Sequence, residues 1–226
     1  MSNVDVCAFA HEGKFKEVYE RIEAQPNLVT KKDQNERIAL HWAASGGHTE
    51  LVSYLLKNGS PVDDIDDCGW TPLMIASSAG RTEIATILIG LNANVNACNF
   101  NGQTCLHYAA SRNRFEIAEK LIENGANVNS RDKTSNATPL HRAASRGHSN
   151  MVKLLINAGC DIQAVDIEGN TALHMACEEE RSQIAVFLVE HGADMTIKNK
   201  QKKTAAELAN KGLGRQLIQL SGMSDK

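Results

Sequence analysis

Thr138-Pro-Leu-His-Arg-Ala143 is one of five related six-residue stretches whose spacing decides the fold. The other four are Ile38-Ala-Leu-His-Trp-Ala43, Thr71-Pro-Leu-Met-Ile-Ala76, Thr104-Cys-Leu-His-Tyr-Ala109 and Thr171-Ala-Leu-His-Met-Ala176. Their central leucines stand at positions 40, 73, 106, 140 and 173, so the spacings are 33, 33, 34 and 33 residues. Less regular segments lie one period outside, at 6–10 and 204–209. The sequence therefore predicts seven repeats, of which the first and last are atypical because they cap a stack.

Each position of this six-residue box has a physical reason. The threonine supplies an oxygen that caps a helix N-terminus, and Pro72 and Pro139 follow where a helix needs no backbone N–H. This first helix ends at a glycine, or at a less typical residue, at positions 13, 47, 80, 113, 147 and 180. A second helix follows with one apolar stripe, as in Leu51-Val52-Leu55-Leu56, and ends near a further glycine.

One helix pair cannot bury its stripe alone, so neighbouring pairs must stack. We therefore predict an all-α fold, a solenoid of seven helix-turn-helix repeats with β-turn loops projecting at one edge. A single domain, 1–226, would contain repeats at approximately 1–32, 33–65, 66–98, 99–131, 132–165, 166–198 and 199–226. Near the C-terminus we expect one short helix at about 216–220, followed by frayed residues.

The composition argues against several classes of protein. A formal net charge of -3 gives no electrostatic case for nucleic-acid binding. No apolar run approaches the roughly 20 residues of a membrane span, and Met1–Asp5 do not resemble a secretory signal. None of the six cysteines forms a C-x-x-C pair. We therefore expect free thiols in a reducing compartment, which places the protein in the cytoplasm and nucleus.

The eight histidines are the residues most suggestive of a metal or catalytic site. Those at 41, 107, 141 and 174 share one position of the box, so packing and local hydrogen bonds explain them. Metal ligands must converge on one point, whereas these residues are spread along the repeats. Phosphate-binding and nucleophile motifs are also absent from the sequence. We therefore predict no metal, no cofactor and no enzymatic activity.

Met175-Ala-Cys-Glu-Glu179 is similar to the L-x-C-x-E motif that docks on retinoblastoma-type pocket proteins, with methionine in place of leucine. Such motifs normally dock as extended peptides. This segment also fills a first-helix position, so we interpret it as part of a helix.

Residues that vary between otherwise constant repeats are expected to contact the partner. Two sets vary here: the turn tips and the fifth position of the box. Four of the few aromatic residues fall in these sets, where they would be interface anchors, although Trp42 and Tyr108 could instead pack on adjacent helices. Charge alternates in blocks, which favours a partner with complementary blocks over a merely solvated face. The predicted partner-binding residues are Glu36, Arg37, Trp42, Asp66, Asp67, Trp70, Ile75, Phe100, Tyr108, Arg112, Arg142, Arg146, Glu178 and Glu179.

The box resembles the T-P-L-H-x-A signature of the ankyrin-repeat family, and the resemblance covers almost the whole chain. Within that family the chain resembles the gankyrin family of proteasome assembly chaperones. The segments that carry this second resemblance are Lys32-Asp-Gln-Asn-Glu-Arg37, Asp66-Asp-Cys-Gly-Trp70, Leu106-His-Tyr-Ala-Ala-Ser111 and Ala176-Cys-Glu-Glu-Glu-Arg181.

The gankyrin resemblance implies a chaperone that holds the C-terminal domain of a proteasome base ATPase subunit on its concave face. It implies that Arg37 and Arg112 meet acidic groups of that domain and that Asp67 meets basic ones. Contacts would be lined by Trp42, Trp70, Ile75 and Tyr108. Asn35 stands where the family has an acidic residue, which removes one expected ion pair.

An alternative function is an ankyrin adaptor or regulator of another partner, such as a kinase, a cell-cycle protein or a transcription protein. In either case we expect a monomer before partner binding, with no nucleic-acid or membrane partner.

Overall fold

A computed structural model of the chain describes residues 4–220 and residue 222, and this part is almost entirely helical. Over these residues there are fourteen α-helices, a 3₁₀ helix at Pro26–Val29 and an isolated antiparallel bridge between Lys198 and Thr204, but no strand. None of the described helices is long and apolar enough to cross a membrane. The all-α prediction is confirmed. The helices are α1 Val4–Glu12, α2 Phe15–Ala24, α3 Ala39–Gly46, α4 Thr49–Lys57, α5 Pro72–Ala79, α6 Thr82–Gly90, α7 Cys105–Ser111, α8 Phe115–Glu123, α9 Pro139–Arg146, α10 Ser149–Asn157, α11 Ala172–Glu178, α12 Ser182–Glu190, α13 Ala205–Leu208 and α14 Lys211–Leu220.

The described residues form two compact units. Unit 1 contains the residues up to Phe100 together with Glu119–Ala126, and unit 2 contains Asn101–Ala118 together with the residues from Asn127 onward. In unit 1, α3 packs against α1 and α5, and α4 packs against α6. In unit 2, α9 packs against α7 and α11, and α10 packs against α12. First helices therefore contact first helices and second helices contact second helices, as stacked pairs require.

Helix α5 shows how the box forms a first helix. Thr71 Oγ1 accepts a hydrogen bond from the Met74 N–H at 3.2 Å, and Pro72 takes the first helical position. Gly80 ends the helix in the left-handed region, at φ 75°. Where the repeat lacks this glycine, Asn113 and Glu180 adopt the same conformation, at φ 55° and 56°. The predicted helix starts and stops are confirmed here.

The box histidines join four of the first helices, α3, α7, α9 and α11, to the loop of the following repeat. Nδ1 of His107 accepts the Thr104 N–H at 3.1 Å, so Nε2 carries the ring proton and donates it to the Ala137 carbonyl at 3.1 Å. The other three histidines bond to the carbonyls of Trp70, Asn170 and Lys203 in the same way. Burial lowers the pKa of all four imidazoles, which keeps them neutral. These contacts are structural, as the repeat phase predicted.

The predicted stripes of the second helices form part of the buried core. In α4 the buried residues are Leu51, Val52 and Leu55, each at most 1% exposed. In α12 the corresponding residues, Ile184, Ala185 and Leu188, are buried in the same way.

The C-terminal helix is longer than the predicted helix at 216–220. The predicted first residue of this helix is wrong, whereas its last residue agrees with the structure. Helix α14 begins at Lys211, because Asn210 Oδ1 accepts the N–H groups of Gly212 and Leu213 at 3.1 and 3.0 Å. Leu213 and Leu217 are buried, and α14 packs against α12 and α13. This packing outweighs the low helix propensity of two glycines. The predicted fraying lies outside the described residues.

Candidate partner-binding surfaces

The turn tips within each unit are tied together by backbone hydrogen bonds. In unit 1, the Asp67 N–H donates to the Asn35 carbonyl at 3.1 Å and the Phe100 N–H to the Cys68 carbonyl at 3.2 Å. In unit 2, the N–H groups of Lys133, Ile167 and Lys200 donate to the preceding tip at 2.8 to 2.9 Å. Side chains at equivalent tip positions therefore follow one another at the spacing of the repeat.

Asp66 orders its own loop and is not available to a partner, which corrects its place among the predicted contacts. Its carboxylate side chain is 0% exposed. Oδ1 accepts the N–H groups of Cys68 and Trp70 at 3.0 and 2.8 Å, and Oδ2 accepts from Arg37 at 2.9 Å. A buried carboxylate is stable only when it is bonded in this way.

Arg37 and Trp42 form a fixed group on unit 1. The Arg37 guanidinium lies 4.9 Å from the centre of the Trp42 ring, and its Nε and Nη2 both reach Asp66 Oδ2 at 2.9 Å. Trp42 Nε1 donates to Asp33 Oδ2 at 2.7 Å. Arg37 is thus positioned in advance, and only part of its guanidinium remains for a partner carboxylate.

The remaining predicted residues of unit 1 differ in exposure. Glu36 and Asp67 are exposed on adjacent tips, and Phe100 is 61% exposed on the next one. Trp70 is half-buried. Ile75 is only 8% exposed, so it packs inside the unit and offers little contact area, which corrects its place among the predicted contacts.

Unit 1 also contains a cavity that the sequence did not predict. It has a volume of about 240 Å³ beside Trp42 and is lined by Cys7, Ala8, His11, Asp33, Gln34, Asn35 and Trp42. The His11 ring meets Trp42 edge-on at 5.3 Å. Asp33 occupies the same loop position as Asp66, one repeat earlier. This equivalence could have identified Asp33 from the sequence, although it does not predict the cavity.

In unit 2, Arg142 is paired with a buried acid. Its Nη2 contacts Asp132 Oδ2 at 2.5 Å, and the Asp132 carboxylate side chain is fully buried. Burial by itself raises the pKa of Asp132, but hydrogen bonds from the Ser135 N–H, Arg142 and Thr134 outweigh it and lower the pKa to about 2. As in the Arg37–Asp66 pair of unit 1, an arginine is bonded to a buried loop aspartate, so Arg142 also has a structural role.

Tyr108 lies one helix away from Arg142 in unit 2. Its hydroxyl donates to Gln103 Oε1 at 2.6 Å. A small depression of about 70 Å³ is lined by Gln103, His107, Tyr108, Ser111 and Arg142. It offers space for one small group of a partner between α7 and α9.

Arg112, Arg146 and Glu179 share one position, at the end of the first helix in three successive repeats. All three are exposed, and Glu178 beside them is exposed as well. Within the described residues, Arg112 and Arg146 form no ion pair, whereas Glu179 lies 4.0 Å from Arg181. Because α7 packs on α9 and α9 on α11, the described part of unit 2 presents Arg112 and Arg146, without ion pairs, next to the acidic residues Glu178 and Glu179.

Two other candidate sites have structural explanations. Asp66, Asp67 and Cys68 place ligand-type atoms within 4.8 Å of one another, but Asp66 already accepts from its own loop and from Arg37. Cys177, in the segment similar to L-x-C-x-E, is 0% exposed inside α11, and burial raises its pKa to about 12. The segment is therefore not presented as an extended peptide.

A model of the ankyrin-repeat family, described as three copies of the repeat, matches residues 6–99, 62–132 and 106–199. Among solved structures, the ankyrin repeat domain of human ASB11 matches with a TM-score of 0.84 and 25% identity, over 97% of this chain and 99% of that one. The ankyrin repeat domain of Bcl-3 matches with a TM-score of 0.83 and 23% identity, over 95% and 97%. These similarities establish the fold.

Several curated relatives are named as proteasome regulatory subunits. The 26S proteasome non-ATPase regulatory subunit 10 of Mus musculus is 53% identical over 72 residues, which cover 32% of this chain and 31% of that protein. The human protein of the same name is 53% identical over 72 residues, 32% of each chain. The probable 26S proteasome regulatory subunit p28 of Saccharomyces cerevisiae is 42% identical over 79 residues, 34% of this chain and 35% of that one. The aligned segment thus spans about a third of these relatives. The chain belongs to the ankyrin-repeat family, and it is similar to 26S proteasome non-ATPase regulatory subunit 10, known as gankyrin.

Proposed function

We propose that this protein is a non-enzymatic chaperone for assembly of the proteasome regulatory particle, and that it binds the C-terminal domain of a base ATPase subunit. The observation that carries the proposal is a pair of exposed arginines on adjacent first helices of unit 2, Arg112 and Arg146, which form no ion pair with any described residue, in a chain similar to a proteasome subunit. Unpaired guanidinium groups on a helical surface suit partner carboxylates, because the planar fork donates two parallel hydrogen bonds.

Each unit supplies its own contacts in this proposal. In unit 1, Asp67 and Glu36 face basic groups of the ATPase domain, while Arg37, held by Trp42 and Asp66, uses its remaining N–H groups on an acidic one. In unit 2, Arg112 and Arg146 face acidic groups. Tyr108 and Phe100 supply buried contact area in their respective units.

The proposal also covers the state of the free protein. It is a monomer in the cytoplasm and nucleus, with reduced thiols and no cofactor. Sedimentation of the purified chain tests whether it is a monomer.

A pull-down from cell extract, scored for each base ATPase subunit, tests the proposal. The wild-type chain should retain one ATPase subunit, and a variant with Arg112→Glu and Arg146→Glu should lose it. Lys120→Ala, on the second helix α8, is the matched control and should retain it. Recovery of a kinase or transcription protein without any ATPase subunit would instead favour the adaptor function.

A further inference from the structure

The second helices α4 and α6 of unit 1 form an apolar groove that lies outside the predicted partner-binding set. It has a volume of about 460 Å³ and is lined by Ser53, Leu56, Lys57, Ile87, Gly90 and Leu91. Leu91 is 51% exposed. The groove is open to solvent along the two helices. We call it the second-helix groove.

The sequence departs from its own repeat at this groove. Other second helices end in Lys57-Asn58-Gly59, Asn157-Ala158-Gly159 and Glu190-His191-Gly192, whereas α6 ends in Gly90-Leu91-Asn92. Asn92 adopts φ 61° where Gly59 adopts 87°. A Cβ atom on Gly90 would meet nothing within 4 Å, so packing does not require glycine there. Glycine in a helix is also less stable than alanine, so local structure does not explain Gly90.

The equivalent helix pair of unit 2 has a smaller depression of about 240 Å³, lined in part by Lys153 and Phe187, and polar side chains lie against the Phe187 ring. Phe187 of α12 stands at the position of Ile87 in α6. The Lys153 ammonium lies 5.6 Å from the centre of the Phe187 ring, and the His191 ring lies 3.9 Å from it. In unit 1 the positions of Lys153 and His191 are held by Ser53 and Leu91. The apolar surface at Ile87 therefore lacks the polar cover that the same repeat position has in unit 2.

Lys57 determines which charge an occupant should carry. It is the charged residue among those lining the groove, it is exposed, and it forms no ion pair within the described part of the chain. An occupant that fits must bring apolar side chains to Ile87 and Leu91 and a carboxylate to Lys57. An amphipathic helix laid against two adjacent helices provides both, since its apolar residues recur on one face.

We propose that the second-helix groove binds a short amphipathic helix of a partner protein, with leucine-type side chains between Ile87 and Leu91 and a carboxylate against Lys57. This surface is separate from the residues proposed to bind the ATPase domain.

Two synthetic helical peptides test the proposal against the full-length chain. Both carry leucines at positions i, i+3 and i+7 of an alanine-based helix, and they differ by glutamate or lysine at i+4. NMR titration of the labelled chain should show the glutamate peptide shifting amide signals at the C-terminal ends of α4 and α6. It should bind at least tenfold more tightly than the lysine peptide.

Leu91→Asn should weaken binding of the glutamate peptide at least tenfold, and Lys57→Glu should reverse the preference between the two peptides. Leu220→Asn, which replaces another exposed leucine in α14, is the matched control and should bind like the wild type. Circular dichroism checks that each variant is folded. Equal binding of the two peptides, signal changes confined to other helices, or a dimer of the chain that Leu91→Asn abolishes would each overturn the proposal. Binding of the ATPase domain should be unchanged in Leu91→Asn, so the two proposals fail independently.

Discussion

Replacing His107 with leucine tests the structural role of the box histidines. The residue is 2% exposed, and it satisfies the Thr104 N–H and the Ala137 carbonyl, each at 3.1 Å. Leucine fills part of the volume but leaves both backbone groups buried without this partner. An unsatisfied buried group costs about 1–3 kcal/mol. The free energy of unfolding should therefore fall by roughly 2–6 kcal/mol.

Urea denaturation followed by circular dichroism at pH 7.5 measures this loss. His148→Leu is the control, because His148 is half-buried and its Nε2 contacts one carbonyl, that of Ser111, at 3.1 Å. Water can replace that bond, so the control should lose only about 0.5–1.5 kcal/mol. A loss for His107→Leu no larger than that for His148→Leu would refute the bridging role.

Three further predictions follow from the titrating groups. Burial lowers the pKa of the four box histidines below 6.5, so the unfolded chain takes up protons at a higher pH than the folded chain does. The free energy of unfolding should therefore fall as the pH drops below about 6.5. A free energy of unfolding that stays constant from about pH 7 to 5 would contradict this. Arg142→Gln should raise the pKa of Asp132 from about 2 toward 3.8, as measured by NMR titration of its carboxyl carbon, and an unchanged pKa would contradict the pairing. Maleimide should label the exposed Cys68 and Cys98 before the buried thiols, because burial raises the pKa of Cys7, Cys160 and Cys177 to about 12. Mass spectrometry of the labelled peptides measures the order of labelling, and earlier labelling of the buried thiols would contradict the prediction.

Much of the fold could be predicted from the sequence, because the same helix-capping and helix-ending residues recur in successive repeats. Thr71, Pro72 and Gly80 each fix a helix boundary through short-range hydrogen bonds and backbone preferences, which depend little on distant residues. The start of α14 could not be predicted in this way. Gly212 and Gly214 disfavour a helix locally, and burial of Leu213 and Leu217 against other helices overrides them.

The candidate surface was predicted less completely, because exposure and pairing are properties of the packed structure. The sequence identified Asp66 and Arg142 as charged partner-binding candidates, but not that Asp66 is buried or that Arg142 is bonded to Asp132. The second-helix groove depends on the absence of side-chain cover at Gly90 and Leu91, which is evident only once α4 and α6 lie together. Repeat phase aligns residues, but it does not measure their accessibility.

The central claim is that charged first-helix and turn residues recognise a proteasome base ATPase subunit, and Arg112→Glu tests it most directly. Arg112 is exposed and unpaired in the described structure, so its reversal should leave folding intact. Isothermal titration with the isolated C-terminal domain of the ATPase subunit should show a loss of roughly 2–5 kcal/mol in binding free energy if the pair is desolvated. An acid-to-lysine change in that domain should restore part of the loss. An affinity unchanged by Arg112→Glu would contradict the account.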